Sequence, residues 1–120
     1  MLARRRILLV ESDSVTRDDL AGILTPEYEV TALSCGCEGL GILETESFDL
    51  VLIGRLGAGP RDIALLERLS RDPFRPKVIL LTAAWSEQVL DRAAELEADA
   101  VLLDRDPGEV SASVAAHLGS

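Results

Sequence analysis

The sequence predicts an α/β protein, a doubly wound (βα)5 sandwich. Three observations carry that expectation. Short aliphatic runs recur between stretches with helical spacing, the connections between them are short, and at least one run, "KVILLTA", is apolar on both faces. Strands alternating with helices imply right-handed crossovers and a parallel sheet covered on both sides. A strand without a polar face belongs inside such a sheet.

"RILLVE" (Arg6 to Glu11) reads as the first buried strand, and "SDSVTRDDLAGIL" offers Ser12 or Asp13 as N-cap with Leu20, Ile23 and Leu24 on one helical face. "YEVTALS" alternates as a strand, Gly36 marks a turn, and "CEGLGILETE" places Leu40 and Leu43 together. Gly39 and Gly41 weaken this second helix by about 1 kcal/mol each relative to Ala. "DLVLIG" is the third strand, and "PRDIALLERLSRD" follows as a helix with Pro60 in its first turn. After "KVILLTA", Ser86 caps "SEQVLDRAAELE" and "AVLLD" forms the fifth strand. "DPGEVSASVAAHLG" closes the chain, with Asp106 and Glu109 as a capping box, Pro107 at the first helical position, and Val110, Val114 and Leu118 on the buried face.

Composition bounds the function. A length of 120 residues with 48% hydrophobic content suits one domain, residues 1–120, with a single core. Aromatics make up 3%, so the core is aliphatic and offers no row of rings for stacking nucleic-acid bases. Twelve basic against 21 acidic residues give a formal charge of −9, which argues against direct nucleic-acid or membrane binding. No run reaches the roughly 18 apolar residues of a membrane span, and "MLARRRILLVES" is unlike a signal peptide, so a cytoplasmic location is expected. Cys35 and Cys37, in "SCGCEG", lack a second cysteine pair for zinc and read as two ordinary reduced thiols.

In a parallel sheet of this kind, chemistry gathers beyond the carboxyl ends of the strands. Those positions hold Glu11, Ser12 and Asp13 after the first strand, Gly54 after the third, Thr82 at the fourth and Asp104 at the fifth. With these residues and the runs "ILLVESDSVTR", "CEGLGIL", "FDLVLIG", "VILLTA" and "ADAVLLD", the chain resembles the receiver domains of bacterial two-component response regulators along nearly its whole length. The resemblance implies a flavodoxin-like strand order 2-1-3-4-5 and a non-enzymatic signalling role.

In that family an acidic pair after the first strand binds Mg²⁺, an Asp ending the third strand accepts phosphate, a Thr or Ser ends the fourth and a Lys ends the fifth. Here Glu11 and Thr82 keep their positions, whereas Ser12 stands at the second acidic position, Gly54 at the acceptor and Asp104 at the lysine. Glycine has no carboxylate to phosphorylate, Ser12 removes a hard anionic oxygen, and Asp104 repels a phosphoryl group. The resemblance therefore implies an atypical pseudo-receiver with a degenerate site, whose Mg²⁺ binding is lost or weak, acting through protein contacts. In the loop "RLGAGPRD", Ala58 replaces the family's usual Pro, and Val101 stands where the family often has an aromatic relay residue.

Other readings stay open beside this one. The emptied mouth could serve as a small-molecule or cation sensor, with Glu11, Asp13 and Asp104 as an oxygen cage, or the domain could be phosphorylated elsewhere. Asp13 has an alternative role as N-cap, and the Thr82 hydroxyl could simply bond neighbouring backbone. Arg55 and Arg105 could pair with the site carboxylates or face solvent. "SDSVTR" lacks the glycine of a flavin phosphate loop. His117 suits the negative end of the last helix. Residues 86–109 hold eight acids and two arginines, whereas 55–77 hold six basic residues and three acids. In resembling proteins the face of the fourth helix, fifth strand and fifth helix docks an output partner or a second receiver. Trp85, at the margin of the acidic stretch, and Val101 are the candidate contact residues there, although Trp85 could instead cover the core edge.

Overall fold

Aliphatic strands deliver the same alternation twice, once to each side of the sheet. In the computed structural model, which describes residues 4–25, 27–54, 60–72, 75–82, 86–95, 97–103 and 106–118, the chain runs β1 (Arg6–Val10), α1 (Ser14–Leu24), β2 (Glu29–Leu33), α2 (Gly36–Ile42), β3 (Leu50–Ile53), α3 (Pro60–Ser70), β4 (Lys77–Thr82), α4 (Glu87–Glu95), β5 (Ala100–Leu103) and α5 (Pro107–Leu118). All pairings are parallel, in the order β2-β1-β3-β4-β5. The expected doubly wound sandwich is the observed one.

Side chains alternate across a strand, so Ile7, Leu9, Leu50, Leu52, Ile79 and Leu81 form one buried cluster with Leu20 and Leu24 of α1 and Val110, Val114 and Leu118 of α5. Leu8, Val10, Val51, Ile53, Val78 and Leu80 form the other, with Leu43, Leu65, Leu69 and Ala93. β3 is buried at every position for this reason. Each fully buried Leu or Ile contributes about 1.5–3 kcal/mol relative to exposure.

The amino end of the sheet is clasped by two aspartates that each precede a strand. Asp49 accepts the Arg6 N–H at 2.8 Å and Asp99 accepts the Val78 N–H at 2.7 Å, so each ties the start of a neighbouring strand to its own. Arg6 adds ion pairs with Glu29 and Glu46 and lies over the Phe48 ring at 4.7 Å.

Several local expectations change. Ile23 is 42% exposed, because the buried stripe of α1 runs through Leu20, Ala21 and Leu24 and leaves Ile23 just off it. Gly36 is the first residue of α2 rather than a turn, and the helix ends at Ile42, well before Glu46. Gly39 is buried, and a Cβ there would lie 3.2 Å from Leu65 Cδ2, so the glycine that weakens α2 also lets it approach α3. α4 ends at Glu95 and is closed by Glu97 at φ 56°, with Glu97 N–H donating to Ala94 O and Ala98 N–H to Ala93 O. That is a Schellman closure with glutamate in the left-handed position that glycine favours.

Candidate functional site

The carboxyl end of the sheet is assembled by register. Val10 pairs with Ile53, so Glu11 and Gly54 follow side by side. Gly54 N–H donates to Val10 O at 2.8 Å, and Glu11 N–H donates to Leu33 O at 3.0 Å, which holds the ends of β2, β1 and β3 level.

Glu11 is 1% exposed. Burial of a carboxylate is costly without hydrogen bonding, and its Oε2 accepts the Asp13 N–H at 3.0 Å. The carboxylate turns towards the third strand: a Cβ built on Gly54 would lie 2.2 Å from Glu11 Oε1 and 2.7 Å from Cδ. The two positions therefore share one volume. Gly54 does not occupy the left-handed region, so this volume, not the backbone conformation, is what an added side chain would violate.

Of the two capping choices after the first strand, the structure uses Asp13. Its Oδ2 accepts from Thr16 N–H at 2.9 Å and from Thr16 Oγ1 at 2.7 Å, while Ser12 is exposed. The α1 helix also returns Arg17, whose Nη1 donates to Glu11 O at 2.9 Å. Sequence reasoning missed Arg17, since a guanidinium one turn into a helix gives no signal of reaching back to a strand end. Thr82, 6% exposed, ends β4 opposite Leu103. Val101 is half-buried and packs on the second cluster. Asp104, Trp85, Arg55, Arg105 and the loop 55–59 lie outside the described residues.

A receiver-type Mg²⁺ centre needs several oxygen donors converging at the strand ends. Mg²⁺ takes carboxylate oxygens and water in octahedral array. The described side chains offer one buried carboxylate, Glu11, aimed at Gly54 and holding the Asp13 N–H, with Asp13 Oδ2 itself occupied by Thr16. Among the described residues no group of three or more His, Cys, Asp or Glu side chains is placed to hold a metal ion. The described residues alone do not assemble the ligand set of that ion.

The cysteines depart from expectation. Cys35 and Cys37 are joined as a disulfide rather than standing as two thiols. Cys35 is extended, at φ −148° and ψ 158°, just before α2, and the turn into the helix at Gly36 brings the two Cα atoms to 5.5 Å, within disulfide range.

No family model matches the chain. The transcriptional activator protein PfeR of Pseudomonas aeruginosa is 40% identical over 84 residues, which is 69% of this chain and 27% of PfeR, so the chain spans about a quarter of that relative's length. A CheY-like response regulator receiver domain protein of Methanospirillum hungatei superposes with a TM-score of 0.86 at 27% identity, covering 98% of this chain and 95% of that one. The signal receiver domain of an HD domain-containing protein from Pseudomonas fluorescens gives a TM-score of 0.83 at 27% identity, covering 99% and 90%. The BeF3-activated DrrB receiver domain shares the fold at 19% identity, with a TM-score of 0.85 over 98% and 99%.

Proposed function

Since this chain is, by structure and homology, a response-regulator receiver domain, we propose that it is a pseudo-receiver: a non-enzymatic regulatory module that signals through protein contacts and is not phosphorylated at the end of its third strand. The observation that carries this reading is the shared volume of Gly54 and Glu11. The position after β3 has no carboxylate to act as nucleophile, and the nearest carboxylate is buried and hydrogen-bonded rather than presented to a phosphodonor. Ser12 and Asp104 add to it, one lacking an anionic oxygen and the other bringing negative charge where a lysine would hold phosphate.

The partner is a protein or a second receiver, docking on the α4, β5 and α5 face. Leu90 of α4 is 50% exposed, β5 is a half-buried edge strand, and residues 86–109 are strongly acidic, which suits a basic partner surface. Similarity to a stretch of a transcriptional activator supports a regulatory setting of that kind.

Incubation with Mg²⁺ and a small-molecule phosphodonor, followed by intact mass measurement, tests the reading. The expected spectrum is unchanged for the native chain and for Gly54→Asp alone. A hydroxylamine-labile phosphoryl adduct on the native chain would overturn the proposal.

A further inference from the structure

Most disulfides stabilise a fold by tying distant segments, and the benefit grows with the loop they close. The Cys35–Cys37 bond spans a sequence separation of 2, so it ties nothing distant. Its effect is local, and its location gives that effect a target.

Cys35 is the last extended residue before α2, Gly36 between the cysteines is buried, and Cys37 lies exposed in the first helical turn. Gly39 N–H donates to Cys35 O and Leu43 N–H to Gly39 O, so the helix is built directly on the disulfide ring. α2 has only seven residues and two internal glycines, Gly39 and Gly41. A helix so short and glycine-rich has little stability of its own, which makes it responsive to a constraint at its start. β2 leads into this ring from the strand end whose Leu33 carbonyl holds Glu11 N–H.

We propose that Cys35 and Cys37 form a thiol–disulfide exchange site that sets the order of α2 beside the carboxyl end of the sheet. Its co-reactant is a low-molecular-weight thiol of the glutathione class. In the reducing direction a thiolate attacks one of the two sulfurs, forming a mixed disulfide as the Cys35–Cys37 bond breaks and the other cysteine leaves as thiolate. A second thiolate then attacks the small-molecule sulfur of the mixed disulfide and the protein cysteine leaves as thiolate, giving two cysteine thiols and one small-molecule disulfide, a two-electron reduction. Oxidation by the small-molecule disulfide is the reverse. Cys37 is the more exposed residue of the two. This role is independent of phosphorylation at the strand ends.

The test equilibrates the whole chain in reduced or oxidised glutathione, counts free thiols by alkylation and mass, and follows amide hydrogen exchange. The oxidised chain is expected to be monomeric, with no alkylatable thiol, and the reduced chain to have two. Exchange at the Gly39 and Leu43 amides should be about tenfold slower when oxidised, the scale set by closing a very short loop, with β1 and β3 amides unchanged. Cys35→Ser/Cys37→Ser should show the reduced rates in both buffers, and the native reduced chain supplies the same comparison independently of that variant. Thiols that stay alkylatable in oxidised glutathione, pairing between chains, or exchange in α2 indifferent to redox state would each overturn the proposal.

Discussion

Replacing Gly54 with alanine adds one methyl group where the Glu11 carboxylate now lies. The new Cβ would meet Glu11 Oε1 at 2.2 Å, more than an ångström inside ordinary contact. The backbone at Gly54 accepts alanine, so the cost falls on Glu11, whose carboxyl must withdraw and release the Asp13 N–H that it accepts at 3.0 Å. A hydrogen bond to a charged group is worth about 1.5–3 kcal/mol and overpacking costs about 1–3 kcal/mol. Because the displaced atoms end a flexible side chain, the low end applies, and Gly54→Ala should destabilise the domain by about 2 kcal/mol. In a Glu11→Ala background the obstacle is gone, and the same substitution should cost close to nothing. Urea unfolding of the four chains of this double-mutant cycle, compared at a common m-value, reads the coupling directly. A coupling of about 2 kcal/mol is expected. Additivity within about 0.5 kcal/mol would refute the shared volume and with it the account of why Gly54 carries no side chain.

Three further outcomes follow from the fold. Gly41→Ala, whose Cβ meets nothing within 4 Å, should stabilise by about 0.5–1 kcal/mol, while Gly39→Ala, pressed against Leu65 at 3.2 Å, should fall about 1 kcal/mol short of that gain; equal urea midpoints for the two would remove the packing explanation of Gly39. Glu97→Gly should relieve a left-handed residue at φ 56° and raise stability by about 1 kcal/mol, seen as a melting temperature higher by about 4 °C, despite the loss of the exposed pair with Arg75. Asp13→Ala should cost about 1 kcal/mol by removing the cap on Thr16, whereas Ser12→Ala, at the exposed neighbour, should be neutral within about 0.5 kcal/mol in the same urea titration.

The fold was legible because its signals are local. Runs such as "ILLV" and "LVLI" announce buried strands, and Asp106 capping the Glu109 N–H at 3.1 Å is visible as a motif a few residues long. α2 was the hardest element for the opposite reason: Gly39 is explained by Leu65 on another helix, which no window around residues 36–43 contains. Ile23 misled because a helical stripe is wide enough to admit or exclude its border residue, and only packing decides. Which residues follow β1 and β3 is readable from the runs, but the meeting of Glu11 and Gly54, far apart in sequence, depends on the β1–β3 register. The cysteine pairing depended on an extended Cys35 followed at once by a helical turn, a backbone choice that spacing alone does not express.

The overlap of Glu11 with the space above Gly54 also bears on the order in which this site could change over evolutionary time. A side chain arriving at position 54 while Glu11 keeps its seat meets a penalty before it can offer any benefit. A change at position 11 that comes first opens the way. The two positions are therefore coupled, and what either can accept depends on how the other is filled.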